Sequence, residues 1–409
     1  MASLWGAPEF RFAMMPHPLA TLGADDIESR ADGLVPTVVA LLQQGQGGAD
    51  SAMAASAEKV AQAAPADAVA GMAGDTAAQM NASYARGWSD GLPVVPATRA
   101  LVAQMLEAGG LRGDAVLADM PSRNLAVTAE KVAINAVMAG CLPEYMPVVA
   151  AAVKALAAPE FGLHHVASGH SGSTIVIVVN GPLAKKLGIN SGHNVFGGGV
   201  RANATIGRAL RLVLRNCLKY QPGVADLATM GTPGKVTCCI AENEDDHPWQ
   251  PWHVERGFSA EDSTVTLLAA SSMIQIWNTG DHEQLLRSIG DSLAFLASIA
   301  WMGQTPGAVV FGGEHAELLR RSGWSKRQIR EFIVAHTGRN MVDLKRCGQF
   351  DGKVSAGDEA LIYHSMDNAD ELVLLRAGGQ IGLLSMVLPG FGGSKAAGRS
   401  PAVRIEAPR

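Results

Sequence analysis

The run from Gly188 to Arg215 holds the residue types best suited to gripping a small ligand. Asn190, Ser191 and His193 lead into three consecutive glycines, Gly197, Gly198 and Gly199, and these into Arg201 and Asn203 at the head of a helical pattern. Glycine lets the backbone approach a ligand closely and take positive φ. A helix starting directly behind it offers free N–H groups and the positive end of its dipole. The spacing predicts a cradle for an anionic small molecule, touched by Asn190, Ser191, Gly198, Gly199, Arg201 and Asn203, with His193 placed to move a proton.

A second polar cluster follows about forty residues on. Glu242, Asn243, Glu244, Asp245, Asp246 and His247 precede His253, Glu255 and Arg256, with Trp249, Trp252 and Phe258 between and after them. Carboxylates beside histidines and an arginine can hold opposed pKa values, as acid–base catalysis needs. Aromatic side chains among them suit a cavity wall. Glu242 and His253 are the expected acid–base groups here, and Glu255 and Arg256 the substrate contacts. Asp245 and Asp246 read as a solvated loop. Cys239, at the end of the preceding apolar run, is a candidate nucleophile, and a thiol there would need a nearby cation or histidine to ionise. His164, His165 and His170 form a third group, a candidate site for a divalent metal. If that segment were extended, adjacent His164 and His165 would point to opposite faces.

Other chemistries are absent from the pattern. Neither Gly197–Gly199 nor the run Gly378-Gly379-Gln380-Ile381-Gly382 has the spacing of a dinucleotide fingerprint or a P-loop, so neither NAD nor ATP is expected. No G-x-S-x-G elbow occurs. A net charge of −5 and 5% aromatic residues argue against a nucleic-acid partner. No apolar run reaches the roughly 18–20 residues of a membrane helix, and Arg11 interrupts the N-terminal stretch, so a cytoplasmic chain without a membrane partner is expected. Five dispersed cysteines without a C-x-x-C read as reduced thiols.

These groups must be positioned by a large core, which 48% hydrophobic and 17% charged residues permit. Residues 1–45 read as an appendage with a helix opening at Asp25, and 46–76 as an Ala/Gly-rich linker. Beyond it the spacing predicts a turn and short strand over 88–96, helices over 98–108, from Thr128, and over 143–154, and a strand at 175–179. Ile175 to Val179 is a continuous β-branched run, the mark of a strand buried on both faces. Further strands are expected at 236–240, 264–269, 307–311, 360–363, 371–375 and 383–388, with helices over 183–187, 284–300 and from Gly312 to Gly323. The segment after Ile175 and that after Gly307 share one grammar: buried strand, Gly turn, short helix. The fold expected is α/β, a mainly parallel sheet with flanking helices, in two related halves, 77–230 and 231–409.

Seven segments bring a resemblance: 88–96 (WSDGLPVVP), 130–149, 188–192 (GINSG), 201–208 (RANATIGR), 233–244 (PGKVTCCIAENE), 252–258 (WHVERGF) and 314–326. Together they span most of residues 80–390, and the chain there resembles a widespread bacterial family of uncharacterised proteins. The first 45 residues, with Met-Met-Pro-His-Pro-Leu-Ala, resemble instead the C-terminal end of the small UGSC-motif (seleno)proteins associated with that family. The UGSC motif itself does not occur in this chain. The family carries no activity to transfer. What the resemblance implies is a UGSC-type protein partner or a mechanism of the chain's own.

Three functions follow as expectations. The first is an enzyme acting on a small anionic molecule by acid–base lyase or hydrolase chemistry, with or without a metal, in a homo-oligomer. The second is a thiol-dependent redox or transfer enzyme using Cys239. The third is a non-catalytic subunit that meets its partner through residues 1–45. The first requires the stretches around 190–208 and 239–256 to converge on one water-poor cavity.

Overall fold

The computed structural model describes residues 11–14, 24–43, 76–298, 301, 307–391 and 400–406. The chain divides into two compact units, Met1–Asp67 and Ala68–Arg409. In the first, the helix expected from Asp25 spans Ala24–Gln43, with Asp25 and Asp26 in its first turn, where the dipole favours them. Its Val35, Val38, Val39 and Leu42 are exposed. The linker expected over 46–76 lies outside the described residues except for Thr76.

The second unit is built on two four-stranded sheets. Their strands are β1 (Thr174–Asn180), β2 (Cys239–Ala241), β3 (Thr264–Ala270), β4 (Ile274–Trp277), β5 (Ala308–Phe311), β6 (Val373–Arg376), β7 (Leu384–Leu388) and β8 (Ala402–Arg404). One sheet has the order β8-β3-β1-β2, the other β6-β5-β7-β4. In each, one pair is parallel (β1 with β2, β5 with β6) and two are antiparallel. The sheets are therefore mixed, not mainly parallel as expected. Long crossovers carry β1 to β2 and β5 to β6 and permit parallel pairing, whereas the other strands return antiparallel.

The two sheets repeat one another strand for strand. Val178 pairs with Ile240 and Thr266; Val310 pairs with Leu375 and Met386. The fourth strand of each set is exchanged: β4 follows β3 but joins the second sheet, and β8 follows β7 but joins the first. The crossing point is itself symmetric. Ala270 bridges Gly390, Ser271 N–H donates to Pro389 O at 2.9 Å, and Phe391 N–H donates to Ala269 O at 3.0 Å. The boundary expected near residue 230 thus falls inside the first sheet, between β1 and its neighbours β2 and β3.

Alternation along the strands sorts side chains into layers. Val176, Val178, Ile240, Leu268, Val310, Leu375 and Leu388 pack between the sheets. Ile177, Val179 and Leu267 face helices α1 (Ala129–Ala139), α2 (Met146–Leu156) and α3 (Arg201–Asn216). Val309, Phe311, Leu374 and Val387 face α4 (His282–Leu293), α5 (Gly313–Ser322) and α6 (Lys326–Ala335). The layering is helix, sheet, sheet, helix. Local signals fix the helix ends: Thr128 caps α1, Gly140 closes it at φ 88°, and capping boxes Asp281–Gln284 and Ser325–Gln328 start α4 and α6.

Several expected elements shift. Residues 88–96 form no strand; Asp90 is drawn instead into a two-bond ion pair with Arg208 on α3. The strand expected at 236–240 is confined to Cys239–Ala241 because a 3₁₀ turn occupies Pro233–Lys235. The helix expected over 284–300 ends at Leu293, and its last two residues lie outside the described set. Among the described residues no single helix is long and apolar enough to cross a membrane.

Candidate functional site

The stretches around 190 and 240 do meet, through Asn203. This buried amide accepts from Asn190 N–H at 2.8 Å and donates to Asn190 O at 3.2 Å and Cys239 O at 2.9 Å. Asn190 O also accepts from Ala241 N–H at 3.1 Å. Asn203 therefore ties α3 to the Asn190 loop and to β2, and both of its amide protons are committed. The Asn190 side chain closes its own loop, accepting from Gly192 N–H at 2.8 Å and donating to His193 O at 2.9 Å. Arg201 donates to Gly140 O at 3.0 Å. Gly198 and Gly199 face solvent. Of the groups expected to grip an anion, Asn190 and Asn203 serve the fold, and Arg201 spends its Nε on Gly140 O.

What the loop does form is one wall of a cleft of about 320 Å³. His193, Asn194 and Gly197 face Gly312, Gly313 and Glu314 at the head of α5, and Ala377, Gly378 and Gly379 just beyond β6. The segments are tied by Gly378 N–H donating to Ser191 O (2.9 Å), Gly313 N–H to Gly379 O (2.9 Å) and Gly312 N–H to Leu384 O (3.1 Å). Each glycine is required by the close approach. A Cβ on Gly312 would overlap the Leu384 carbonyl, one on Gly313 the Gln380 backbone, and one on Gly379 the His193 ring. Apolar residues floor the cleft, among them Phe196, Val310, Leu384 and Met386. It opens beyond the carboxyl ends of a parallel strand pair, the usual place for a ligand in α/β sheets.

The repeat explains why the cleft is open. Counting on from the paired strands, Gly312, Ala377 and Gly379 stand where the first repeat has Asn180, Glu242 and Glu244. There the side chains fill the space. Glu242 accepts from Asn180 Nδ2 at 2.5 Å, His247 Nε2 at 2.6 Å and Trp252 N–H at 2.8 Å. Burial alone would raise its pKa; the His247 bond, the charges of His247 and Lys326 and the Trp252 N–H outweigh it and hold the carboxyl below its ordinary range. Glu244 accepts from Gly181 N–H at 2.7 Å and Asn180 Nδ2 at 3.0 Å, and its Oε1 lies 3.6 Å from His253 Nδ1. His253 is fully buried with neither ring nitrogen hydrogen-bonded.

Glu242 and His253 therefore lie in a closed polar core, separate from the residues lining the His193 cleft. The two regions are hydrogen-bonded to each other: Asn243 N–H donates to Arg376 O at 2.7 Å, and Gln380 Nε2 to Asp246 Oδ2 at 2.8 Å. Glu255 is neutralised by Lys326 at 2.7 Å and by Arg330. Arg256 lies over the Trp252 ring, 5.4 Å from its centroid. With Trp252 and Phe258 it lines a second cavity of about 570 Å³, bordered also by Glu160, Asp370 and Glu371. Trp252 and Phe258 are cavity wall as expected; Trp249 instead packs edge-on against His247 and Phe311.

The remaining candidates lie elsewhere. His164 and His165 sit on a helix, Leu163–Ser168; His164 faces Tyr220 and His165 stacks on Phe391 at 5.1 Å, while His170 is exposed. Among the described residues no three His, Cys, Asp or Glu side chains are placed to hold a metal. Cys239 is fully buried, and burial, with Cys238 and Cys141 nearby, pushes its thiol well above the ordinary value; Cys141 is pushed up to about 12. A buried neutral thiol is inert. Alkylation of the folded protein followed by intact-mass and peptide analysis should mark exposed Cys347 within minutes and leave Cys239 unmarked until denaturant is added. A Cys239 adduct in native protein would contradict this placement.

Sequence reasoning missed Gly312, Gly313 and Glu314 as cleft-lining residues. The signal was available in the repeated strand–glycine–helix grammar, whose two copies end in different residue types. No protein-family model and no curated protein matches the chain.

Proposed function

We propose that the protein is an enzyme acting on a small molecule bound in the cleft between His193, Gly312–Glu314 and Gly378–Gly379. His193 moves the proton in lyase or hydrolase chemistry. The observation that carries this reading is the asymmetry of the repeat. Three positions filled by Asn180, Glu242 and Glu244 in one half are Gly312, Ala377 and Gly379 in the other, and the space so released holds an exposed imidazole at its mouth. An imidazole can both give and take a proton and suits general acid–base work.

The test is untargeted. Wild-type protein and His193→Asn are incubated with a cell metabolite extract, and consumed compounds are followed by mass spectrometry. At least one compound should be consumed about 100-fold more slowly by the variant, the usual worth of a positioned acid–base group. Identical consumption profiles would remove His193 from the mechanism.

A second reading has its own support. The exposed Val35, Val38, Val39 and Leu42 of the N-terminal helix form an apolar stripe at i, i+3, i+4 and i+7, on the segment that resembles the end of a UGSC-type protein. A partner bound there would supply the thiol that Cys239 is too buried to offer. Membership of the bacterial family resembled by residues 80–390 belongs to this same proposal.

A further inference from the structure

We propose that the cleft selects an uncharged or cationic molecule with an apolar body, an aryl or branched-alkyl amine or amide, and disfavours carboxylates of the same shape. This rests on the cleft being the ligand site. It follows from counting which polar groups there remain available.

Four of the five glycine N–H groups lining the cleft are already committed. Gly197 donates to Asn194 O (2.8 Å), Gly312 to Leu384 O (3.1 Å), Gly313 to Gly379 O (2.9 Å) and Gly378 to Ser191 O (2.9 Å). These glycines supply room, not donors. The Asn194 amide donates to Gly198 O at 3.0 Å. Neither lysine nor arginine lines the cleft, and an anion moved there from water would meet no fixed cation to offset its desolvation.

Acceptors and negative charge are present instead. Glu314 stands at the rim, and its Oε2 accepts from Gly382 N–H (2.6 Å) and Leu383 N–H (2.7 Å). Those two bonds hold the carboxyl ionised, lowering its pKa. Ser385 lies 2.8 Å from His315 Nδ1, while His315 Nε2 meets Asn278 O at 2.9 Å. A carbonyl can only accept, so the His315 proton is on Nε2 and the Ser385 hydroxyl donates to Nδ1. That hydroxyl retains lone pairs and no free proton. The apolar floor of Val195, Phe196, Val310, Leu384 and Met386 takes the body of the ligand.

Benzylamine, benzamide and benzoate share one ring and differ in charge. Their binding to the full-length protein at pH 7.5 is measured by saturation-transfer NMR. The same titrations are run on Gly379→Val, whose side chain enters the cleft against His193, and on Met386→Trp, which fills the floor; folding of each is confirmed by thermal melting. Benzylamine and benzamide should bind at least tenfold more tightly than benzoate, both variants should abolish binding, and Glu314→Gln should shrink the benzylamine-to-benzoate ratio at least threefold. Benzoate binding as tightly as benzylamine, and lost in both filled variants, would overturn the charge selection and leave the cleft as the site. Binding that survives both fillings, or no binding of any probe to wild type, would overturn the cleft reading and this inference with it.

Discussion

Glu242→Leu should destabilise the unit formed by residues 68–409 by about 3–5 kcal/mol, the usual cost of removing one partner from a buried charged network. The carboxylate accepts from Asn180, His247 and the Trp252 backbone in a place water does not reach. Leucine matches its size, leaves His247 Nε2 and the Trp252 N–H without the carboxylate, and reduces Asn180 Nδ2 to its bond with Glu244. Glu242→Gln keeps an acceptor and should cost less. The pH dependence has a definite sign. The folded carboxyl titrates below its ordinary value of 4.5, so its stabilisation is complete above that value and is lost as pH falls through the lower folded one. Urea midpoints at pH 7 and pH 4 measure both effects. The difference between wild type and Glu242→Gln should be larger at pH 7 than at pH 4. Equal differences at the two pH values would show that the charge on Glu242 contributes nothing.

Asn203→Leu should cost about 3 kcal/mol, because Asn190 N–H and Cys239 O each lose their partner and an unsatisfied buried group costs about 1–3 kcal/mol. In a unit of this size that is a fall in Tm of roughly 4 °C. The same variant should loosen the His193 wall of the cleft, since the loop that carries His193 is anchored through Asn190. Both effects are read on one sample, by thermal melting and by benzylamine binding. A Tm within about 1 °C of wild type, a change of under about 0.7 kcal/mol, would mean the amide is not the joint between the two stretches.

What could be read from the sequence was what is local. The β-branched run Ile175–Val179 announced a strand buried on both faces, and β1 is one. Thr128 and Gly323 marked helix ends that the chain obeys. The two strand–glycine–helix segments are β1 and β5 with their following helices. The exchange of β4 and β8 was not legible, because a four-residue edge strand carries no sign of which sheet it joins. Strand direction was equally hidden: connections of this length can return a strand either way.

The candidate site shows the same division. Glycine marks where backbone must come close, and Gly197 does line a cleft. Glycine does not reveal whether its N–H is free, and here four are bound to carbonyls, which is the ground for proposing an uncharged or cationic ligand. His193 stands at a cavity as its setting suggested. Glu242 and His253 share chemistry with a catalytic pair but sit in the filled half of the repeat, where polar residues pack against each other. Only the register, which pairs Val310 with Leu375 and Met386, identifies the emptied half.

The central claim is that the glycine-walled cleft is a small-molecule site. A crystal structure of the full-length protein soaked in benzylamine tests it most directly. The account predicts density for the ring over Met386 and Phe196, with the amine within hydrogen-bonding reach of Glu314 or His193. Density confined to the cavity beside Trp252 and Arg256, with the cleft left to solvent, would contradict it.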